Sequence, residues 1–293
     1  MFDDFPLIRD RLPGGAVLTE VRIRAGQAVE FRSASGAELV EPVVTRQELD
    51  ELLLQMTGYS IYACEEYIRQ GFFTLPEGHR VGLTGRYASD KGGVVALTGA
   101  LSMCIRVARA IPGAADALMP HLTAKGKLHS ALILSPPGLG KTTMLRDAAR
   151  QLSGLGYRVA LADERGELSA PALDGLPTMA LGPRCDVATG ADKAQLIGRL
   201  VRSMAPDVVV TDELGDEGDA RAVYEAACAG VMVLASAHAA DIPSALRKRG
   251  LKALAEDGLF EVLAVLGGAP GRIIEIVDAQ EGQGFGHTLK ARA

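Results

Sequence analysis

Two stretches of this sequence carry side chains suited to phosphate chemistry. Residues 135–143 read Ser-Pro-Pro-Gly-Leu-Gly-Lys-Thr-Thr and follow directly on the apolar run that ends at Ser135. Gly138 and Gly140 let the backbone curl so that several N–H groups point inward. Lys141 places a cation on β- and γ-phosphates, and Thr142 offers a hydroxyl to Mg²⁺. Pro137, Gly138, Leu139, Gly140, Lys141, Thr142 and Thr143 are therefore the expected nucleotide-binding residues, with ATP and Mg²⁺ as ligands. The match to G-x-x-x-x-G-K-[ST] is incomplete, because Ser135 stands where the first glycine belongs. A plain Gly-Pro turn with a surface lysine is the alternative. It fits less well, because a strand precedes the loop and a helix follows it. That helix, with Leu145, Ala148, Ala149 and Leu152 on one face, adds its N-terminal dipole to the loop.

The second stretch is VVVTDE, residues 208–213, an oily strand ending in Asp212 and Glu213. Asp212 is expected in the Mg²⁺ shell, and Glu213 is expected to orient or deprotonate the attacking water. Two further strand ends bear polar groups. VALADERGE carries Asp163, Glu164 and Glu167, with Glu164 a rival for the catalytic carboxylate; a local salt bridge with Arg165 is the bland reading. VLASAHA closes on His238, which is either a structural histidine or a sensor of the γ-phosphate. In an open parallel sheet all these strand ends share the carboxyl edge, where ligands bind.

The elements that must position these groups are legible in outline. From residue 129 onward, runs that are apolar on both faces (SALILS, YRVALAD, DVVVTDE, VMVLASAHA, RIIEIVD) alternate with helical stretches, which predicts a parallel sheet covered on both sides. Residues 1–110 read differently. LTEVRIRAGQ alternates, with Val21, Ile23 and Ala25 opposite Arg22 and Arg24. A helix from Thr45 to Gly58 has a capping box of Thr45 and Glu48 and an apolar face of Leu49, Leu52, Leu53 and Met56. A second helix is expected between Ser60 and Gly71. Strands then follow in HRVGLTGRYA, GGVVALTG and SMCIRVAR, the first two joined by a turn at SDKGG. This is an α+β domain with an antiparallel sheet. Residues 111–128 read as a linker with a short helix, and 129–293 as the catalytic domain.

Composition narrows the classes. The 293 residues carry 31 Lys and Arg against 36 Asp and Glu, a net charge of −5, and only 4% aromatics with no Trp. A nucleic-acid track normally needs a basic excess and stacking rings, so none is expected. No apolar run is long enough to span a bilayer, and the acidic start MFDDFPLIRDR is unlike a signal peptide, which points to the cytoplasm. Cys64, Cys104, Cys185 and Cys228 are too scattered for a metal or disulfide framework and are expected to be free thiols.

The order PPGLGKTT, ADERGE, RSMAPDVVVTDELGD and ASAHA resembles that of the secretion and pilus-retraction ATPases, whose Walker A, Asp-box, Walker B and His-box segments follow in this sequence. A Pro-Asp pair precedes their Walker B strand, as Pro206-Asp207 does here. The closer resemblance, over nearly the whole chain, is to the stage III sporulation protein AA family, through LTEVRIRAGQ, TGYSIYACEEYIRQGFFTLPEGHRVGLTGR, LSMCIRVAR, PPGLGKTTMLRD, LADERGEL, LGPRCDV and IGRLVRSMAPDVVVTDELG. The resemblance implies a RecA-like P-loop NTPase domain preceded by a smaller α+β domain. It implies an ATPase assembled as a hexameric ring in the mother cell. Such a ring would be peripheral to the membrane and would energise a secretion-like channel complex between mother cell and forespore. Two departures stand out: Ser135 in the loop, and ATGADKA after LGPRCDV.

In such rings a neighbour's arginine can stabilise transition-state charge. Arg86 and Arg106, on strands comparable to those bearing arginines in the secretion ATPases, are the leading candidates. Arg22, Arg24, Arg184 and Arg202 follow. Competing readings are a nucleic-acid-driven motor with the same ATP chemistry, a small-molecule kinase, which needs a second pocket and no Glu213, and a nucleotide-gated scaffold with little hydrolysis.

Overall fold

The computed structural model describes residues 2–15, 17–58, 71–75, 78–90, 93–108, 110–172 and 175–279. The chain divides into two compact units, Met1–Arg109 with Ala170–Met179, and Ala110–Ser169 with Ala180–Ala293.

The first unit is an antiparallel sheet with a helix packed on it. Its strands are β1 (Leu18–Arg24), β2 (Val29–Ser33), β3 (Gly36–Val40), β4 (Phe72–Thr74), β5 (Arg80–Asp90) and β6 (Gly93–Arg106), in the order β3-β2-β1-β6-β5-β4. Val21 and Ile23 are buried and Arg22 and Arg24 face outward, as the alternation of β1 requires. The helix Arg46–Met56 starts at the Thr45–Glu48 capping box and buries Leu49, Leu52, Leu53 and Met56. They join Val21, Phe31, Phe73, Val81 and Ile105 in one core. The expected division between GGVVALTG and SMCIRVAR is absent: β6 runs unbroken through both. Bulges at Thr84/Gly85, Arg86/Tyr87 and Ala88/Ser89 absorb the bend that would otherwise break the β5–β6 pair. A Cβ on Gly85 would lie 2.1 Å from the Gly99 carbonyl, so the tightest of these bends requires glycine. The helix expected between Ser60 and Gly71 falls outside the described residues.

The second unit is built on β7 (Ala131–Ser135), β8 (Val159–Asp163), β9 (Cys185–Thr189), β10 (Val208–Thr211), β11 (Met232–His238), β12 (Val262–Leu266) and β13 (Ile273–Asp278), in the order β13-β12-β7-β11-β10-β8-β9. All neighbours are parallel except β12 and β13, so the sheet is mostly rather than wholly parallel. β7, β8, β10 and β12 are buried at every position, the pattern of strands covered on both faces. On one face Leu132, Leu134, Val209, Val233 and Ala235 pack against helices Lys193–Met204, Glu217–Cys228 and Arg249–Glu256. The residues of opposite parity are buried too, on the face covered by helix Lys141–Gly154. β9 and β12 were not apparent as separate strands in the sequence.

Residues 111–128 are more than a connection. They belong to the second unit, bury Ala115, Leu118 and Leu122, and form the helix Met119–Leu122. The Ala115 N–H donates to the buried Asp147 carboxylate at 2.9 Å. Among the described residues, Cys104, Cys185 and Cys228 are free thiols, and burial pushes Cys185 up to about 12. No described helix is long and apolar enough to cross a membrane.

Candidate active site

The strand order interleaves the chemistry. β11 lies between β7, which leads into Lys141, and β10, which leads into Asp212 and Glu213. Register pairs His238 with Ser135 across β11–β7, and Thr211 with Ala235 across β10–β11. His238 therefore stands between the lysine and the acidic pair at the carboxyl edge of the sheet.

The loop from Ser135 turns on Gly138 (φ 77) and Gly140 (φ 90), both left-handed. Gly140 caps the helix that begins at Lys141. A Cβ there would come within 3.1 Å of the Gly271 nitrogen, and the Gly271 N–H donates to the Leu139 carbonyl at 2.9 Å, so the β12–β13 turn braces the loop. Lys141 is 5% exposed. Its ammonium folds back on the start of the loop, near Ser135 O at 3.2 Å, Ser135 Oγ and Pro136 O at 3.3 Å each, and His238 Nδ1 at 3.0 Å. Burial lowers its pKa, while the charges on Glu213 and Asp212 oppose that shift. Thr142 and Thr143 are half-buried at the helix start.

His238 bridges the two halves of the site. An ammonium donates to Nδ1, so Nδ1 carries no proton, and the imidazole is the Nε2–H tautomer. Nε2 lies 2.7 Å from Glu213 Oε1, to which it donates. The other Glu213 oxygen is 3.3 Å from Arg165 Nη1. A continuous chain thus runs Lys141–His238–Glu213–Arg165. Glu213 sits in the left-handed region at φ 45, a strained position for a residue with a side chain, costing roughly 1–3 kcal/mol. Local bonds hold it there. Its N–H donates to Ser236 Oγ at 3.0 Å, the Leu214 N–H donates to Ser236 O at 2.8 Å, and its carbonyl accepts from Lys193 Nζ at 2.8 Å.

Asp212 is buried at the end of β10. Its carboxyl is pushed up to about 6, first by burial and then by the neighbouring Asp163 charge. Such a carboxylate is poised to gain from a cation beside it. Asp163 is fully buried and already engaged, accepting from the N–H groups of Glu167, Leu168 and Ser169 and from Ser169 Oγ, at 2.6 to 3.2 Å. It shapes the turn after β8 rather than facing a ligand. Glu164 is exposed on that turn.

The residues fit a Mg²⁺-nucleotide: a glycine-shaped cradle at a helix N-terminus, a buried lysine, a hydroxyl at Thr142 and a buried carboxylate of raised pKa at Asp212. The structure brings together Lys141, His238, Glu213 and Asp212 within one unit. Arg86 and Arg106 are exposed on β5 and β6 of the other unit. Arg22 pairs with Glu20 and holds its carboxyl below the usual range, and Arg24 pairs with Glu30, whose carboxyl Arg32 and then Arg24 hold below that range. Arg184 donates to the Ser153 carbonyl, a structural bond. Sequence reading missed Lys193, Ser236 and Asp219, and gave Arg165 only a local salt bridge. The available signal was Lys193 itself, a cation in the first turn of a helix, where the dipole disfavours it.

The raised pKa of Asp212 has a cost in stability. A carboxyl whose folded pKa is about 6 and unfolded pKa about 3.9 binds its proton more tightly when folded. Stability therefore falls as pH rises from about 4 to about 6, and a penalty of about 3 kcal/mol is complete above that window. Asp212→Asn should melt at a higher temperature than wild type near pH 7, with the gap closing under acid conditions. Equal melting of the two proteins near neutrality would contradict the burial of an ionised Asp212. Ser135→Gly removes one weak acceptor of Lys141. Titration should show ATP affinity changed by less than about tenfold, since one neutral hydrogen bond is worth about 1 kcal/mol. A larger loss would make the serine an essential part of the loop.

Sheet order, glycine-rich loop and acidic strand end together define a mixed α/β fold with a mostly parallel sheet, and comparison with known proteins gives it a family. The chain belongs to the family described as sporulation stage III, protein AA, whose model matches residues 7–283. It is 37% identical over 269 residues to "Stage III sporulation protein AA" of Bacillus subtilis (strain 168), covering 89% of this chain and 87% of that protein. Among solved structures, the pilus retraction motor PilT with bound ADP shares the fold with a TM-score of 0.63 at 12% identity, covering 95% of this chain and 83% of that one. The Legionella pneumophila ATPase DotB does so with a TM-score of 0.56 at 15% identity, covering 85% and 72%.

Proposed function

We propose that this protein is an ATP-hydrolysing motor subunit on a RecA-like P-loop domain, which energises a sporulation channel or export complex between mother cell and forespore. The observation that carries the reading is the bonded chain Lys141–His238–Glu213 across three adjacent strand ends. It ties a phosphate-binding lysine to a carboxylate placed to act on water.

ATP enters the cradle of Pro137, Gly138, Leu139 and Gly140, with the amides of Gly138 to Thr143 turned to its phosphates. Lys141 exchanges its contacts with Ser135 and Pro136 for phosphate oxygens. Mg²⁺, when bound with the nucleotide through Thr142 and Asp212, offsets phosphate charge. Glu213 then orients a water and takes its proton as the water oxygen attacks the γ-phosphorus. The bond to the β–γ bridging oxygen breaks, and ADP and phosphate leave. His238, released by Lys141, stays bonded to Glu213 through Nε2–H while Nδ1 faces the incoming phosphate, so it couples phosphate occupancy to the carboxylate. The hexameric ring and the membrane-embedded channel partner rest on the family resemblance. Within such a ring Arg86 and Arg106, exposed on their strands, are free to act across a subunit boundary.

The test is phosphate release by the purified protein with MgATP, with and without single-stranded DNA. Turnover that DNA leaves unchanged supports the export motor. Strong stimulation by DNA would replace it with the nucleic-acid motor.

A further inference from the structure

Lys193 opens the helix Lys193–Met204, where a cation meets the positive end of the dipole. It is nevertheless only 4% exposed. A buried ammonium against a helix N-terminus needs strong local partners. It has two. Nζ donates to the Glu213 carbonyl at 2.8 Å and lies 3.5 Å from Asp219 Oδ2. Asp219 is buried as well and accepts from the Gly215 N–H at 2.8 Å. The shorter contact is the one to the backbone of Glu213, the residue whose left-handed conformation is strained.

Three bonds enclose that turn. Ser236 holds the amides of Glu213 and Leu214, and Lys193 holds the Glu213 carbonyl from the opposite side. Without Lys193 the peptide after Glu213 keeps only the Leu214 N–H bond to Ser236 O, and loses the bond that fixes its carbonyl against rotation out of the strained conformation. The carboxylate would then leave its places 2.7 Å from His238 and 3.3 Å from Arg165. The lysine charge also reaches Asp212, where it opposes the effect of Asp163.

We propose that Lys193 is a positioning residue of the hydrolytic site, which fixes the left-handed turn at Glu213 and so aims its carboxylate. The proposal rests on the reading of Glu213 as the group that acts on water. It gives the segment ATGADKA a role: Asp192 caps the helix through the N–H groups of Ala194 and Gln195, and Lys193 reaches back to the strand end.

The experiment compares wild type with Lys193→Met and Asp219→Asn. It reads kcat and KM for MgATP, equilibrium binding of a fluorescent ATP analogue, and hydrogen exchange at the amides of 213–216. For Lys193→Met, kcat is expected to fall about 10- to 100-fold, the loss that follows a misplaced catalytic group. Binding should stay within about threefold, and exchange at 213–216 should rise about tenfold or more while the rest of the sheet is unchanged. Asp219→Asn keeps the carbonyl bond and should keep kcat within about threefold, since only the ion pair is weakened. If Lys193→Met does not fold, the double variant with Asp219→Asn leaves no unpaired buried charge and should show the same slow turnover. Unchanged exchange at 213–216 overturns the proposal whether or not the wild type hydrolyses ATP. Unchanged kcat beside an active wild type also overturns it, as does an equal loss of kcat in Asp219→Asn. An inactive wild type with faster exchange in Lys193→Met sinks the ATPase reading and leaves the positioning of Glu213 standing.

Discussion

Lys141→Ala is expected to abolish ATP turnover and to weaken ATP binding by about tenfold or more, because it removes the one buried cation the loop offers to the β- and γ-phosphates. The structure adds a second consequence. The Lys141 ammonium lies 3.0 Å from His238 Nδ1. Alanine leaves that nitrogen without its donor, and the Nε2–H tautomer loses one of the bonds that select it. The bond to Glu213 at 2.7 Å should loosen as well, so the defect reaches the carboxylate as well as the phosphate. Phosphate release and ATP titration of the variant beside wild type check both effects. Turnover within a few-fold of wild type would mean that the glycine-rich turn serves structure alone.

Glu213→Gln separates binding from chemistry. The amide keeps the size of the side chain and an oxygen to accept from His238 Nε2, so the hydrogen-bonded chain can persist. It cannot take a proton from water. Turnover should fall about 100-fold or more, in line with the loss of a general base, while ATP affinity stays within about threefold. Removing one negative charge also lessens the crowding of carboxylates around Asp212, to whose raised pKa Glu213 contributes. Unchanged turnover in Glu213→Gln would move the role to Glu164, which the same assay on Glu164→Gln would reveal.

The parts of the site that could be read in sequence are those written in contiguous residues. Gly138, Gly140, Lys141 and Thr142 form one loop, Asp212 and Glu213 end one strand, and His238 ends another. Each belongs to a strand whose apolar run marks its carboxyl end. Their mutual distances were not legible, because they depend on sheet order: β11 lies between β7 and β10 although it follows both in the chain. Lys193, Asp219 and Ser236 escaped for the same reason. Lys193 and Ser236 reach Glu213 from a helix and a neighbouring strand, Asp219 meets Lys193 from a second helix, and no period or motif links them. The left-handed backbone of Glu213 was equally invisible, since the residue type argues against it.

In the fold, the capping box at Thr45 and the alternation of β1 were legible because both are local. β12, five buried residues reading VLAVL, is too short for periodicity to distinguish from part of a helix. β9 is a partly exposed strand at the edge of the sheet, with polar residues at Asp186 and Thr189, and lacks an apolar run. The unbroken β6 depends on bulges that only pairing with β5 reveals. Residues 111–128 looked like a linker because small residues and prolines dominate them, yet Ala115, Leu118 and Leu122 are fully buried.

The most direct test of the central claim is a single-turnover measurement with γ-labelled ATP, Mg²⁺ and excess protein. Under these conditions slow product release does not conceal the chemical step. Labelled phosphate should appear in wild type, while Glu213→Gln holds its ATP intact. ATP that binds to wild type and stays intact would contradict hydrolysis by this chain and leave a nucleotide-gated scaffold in its place.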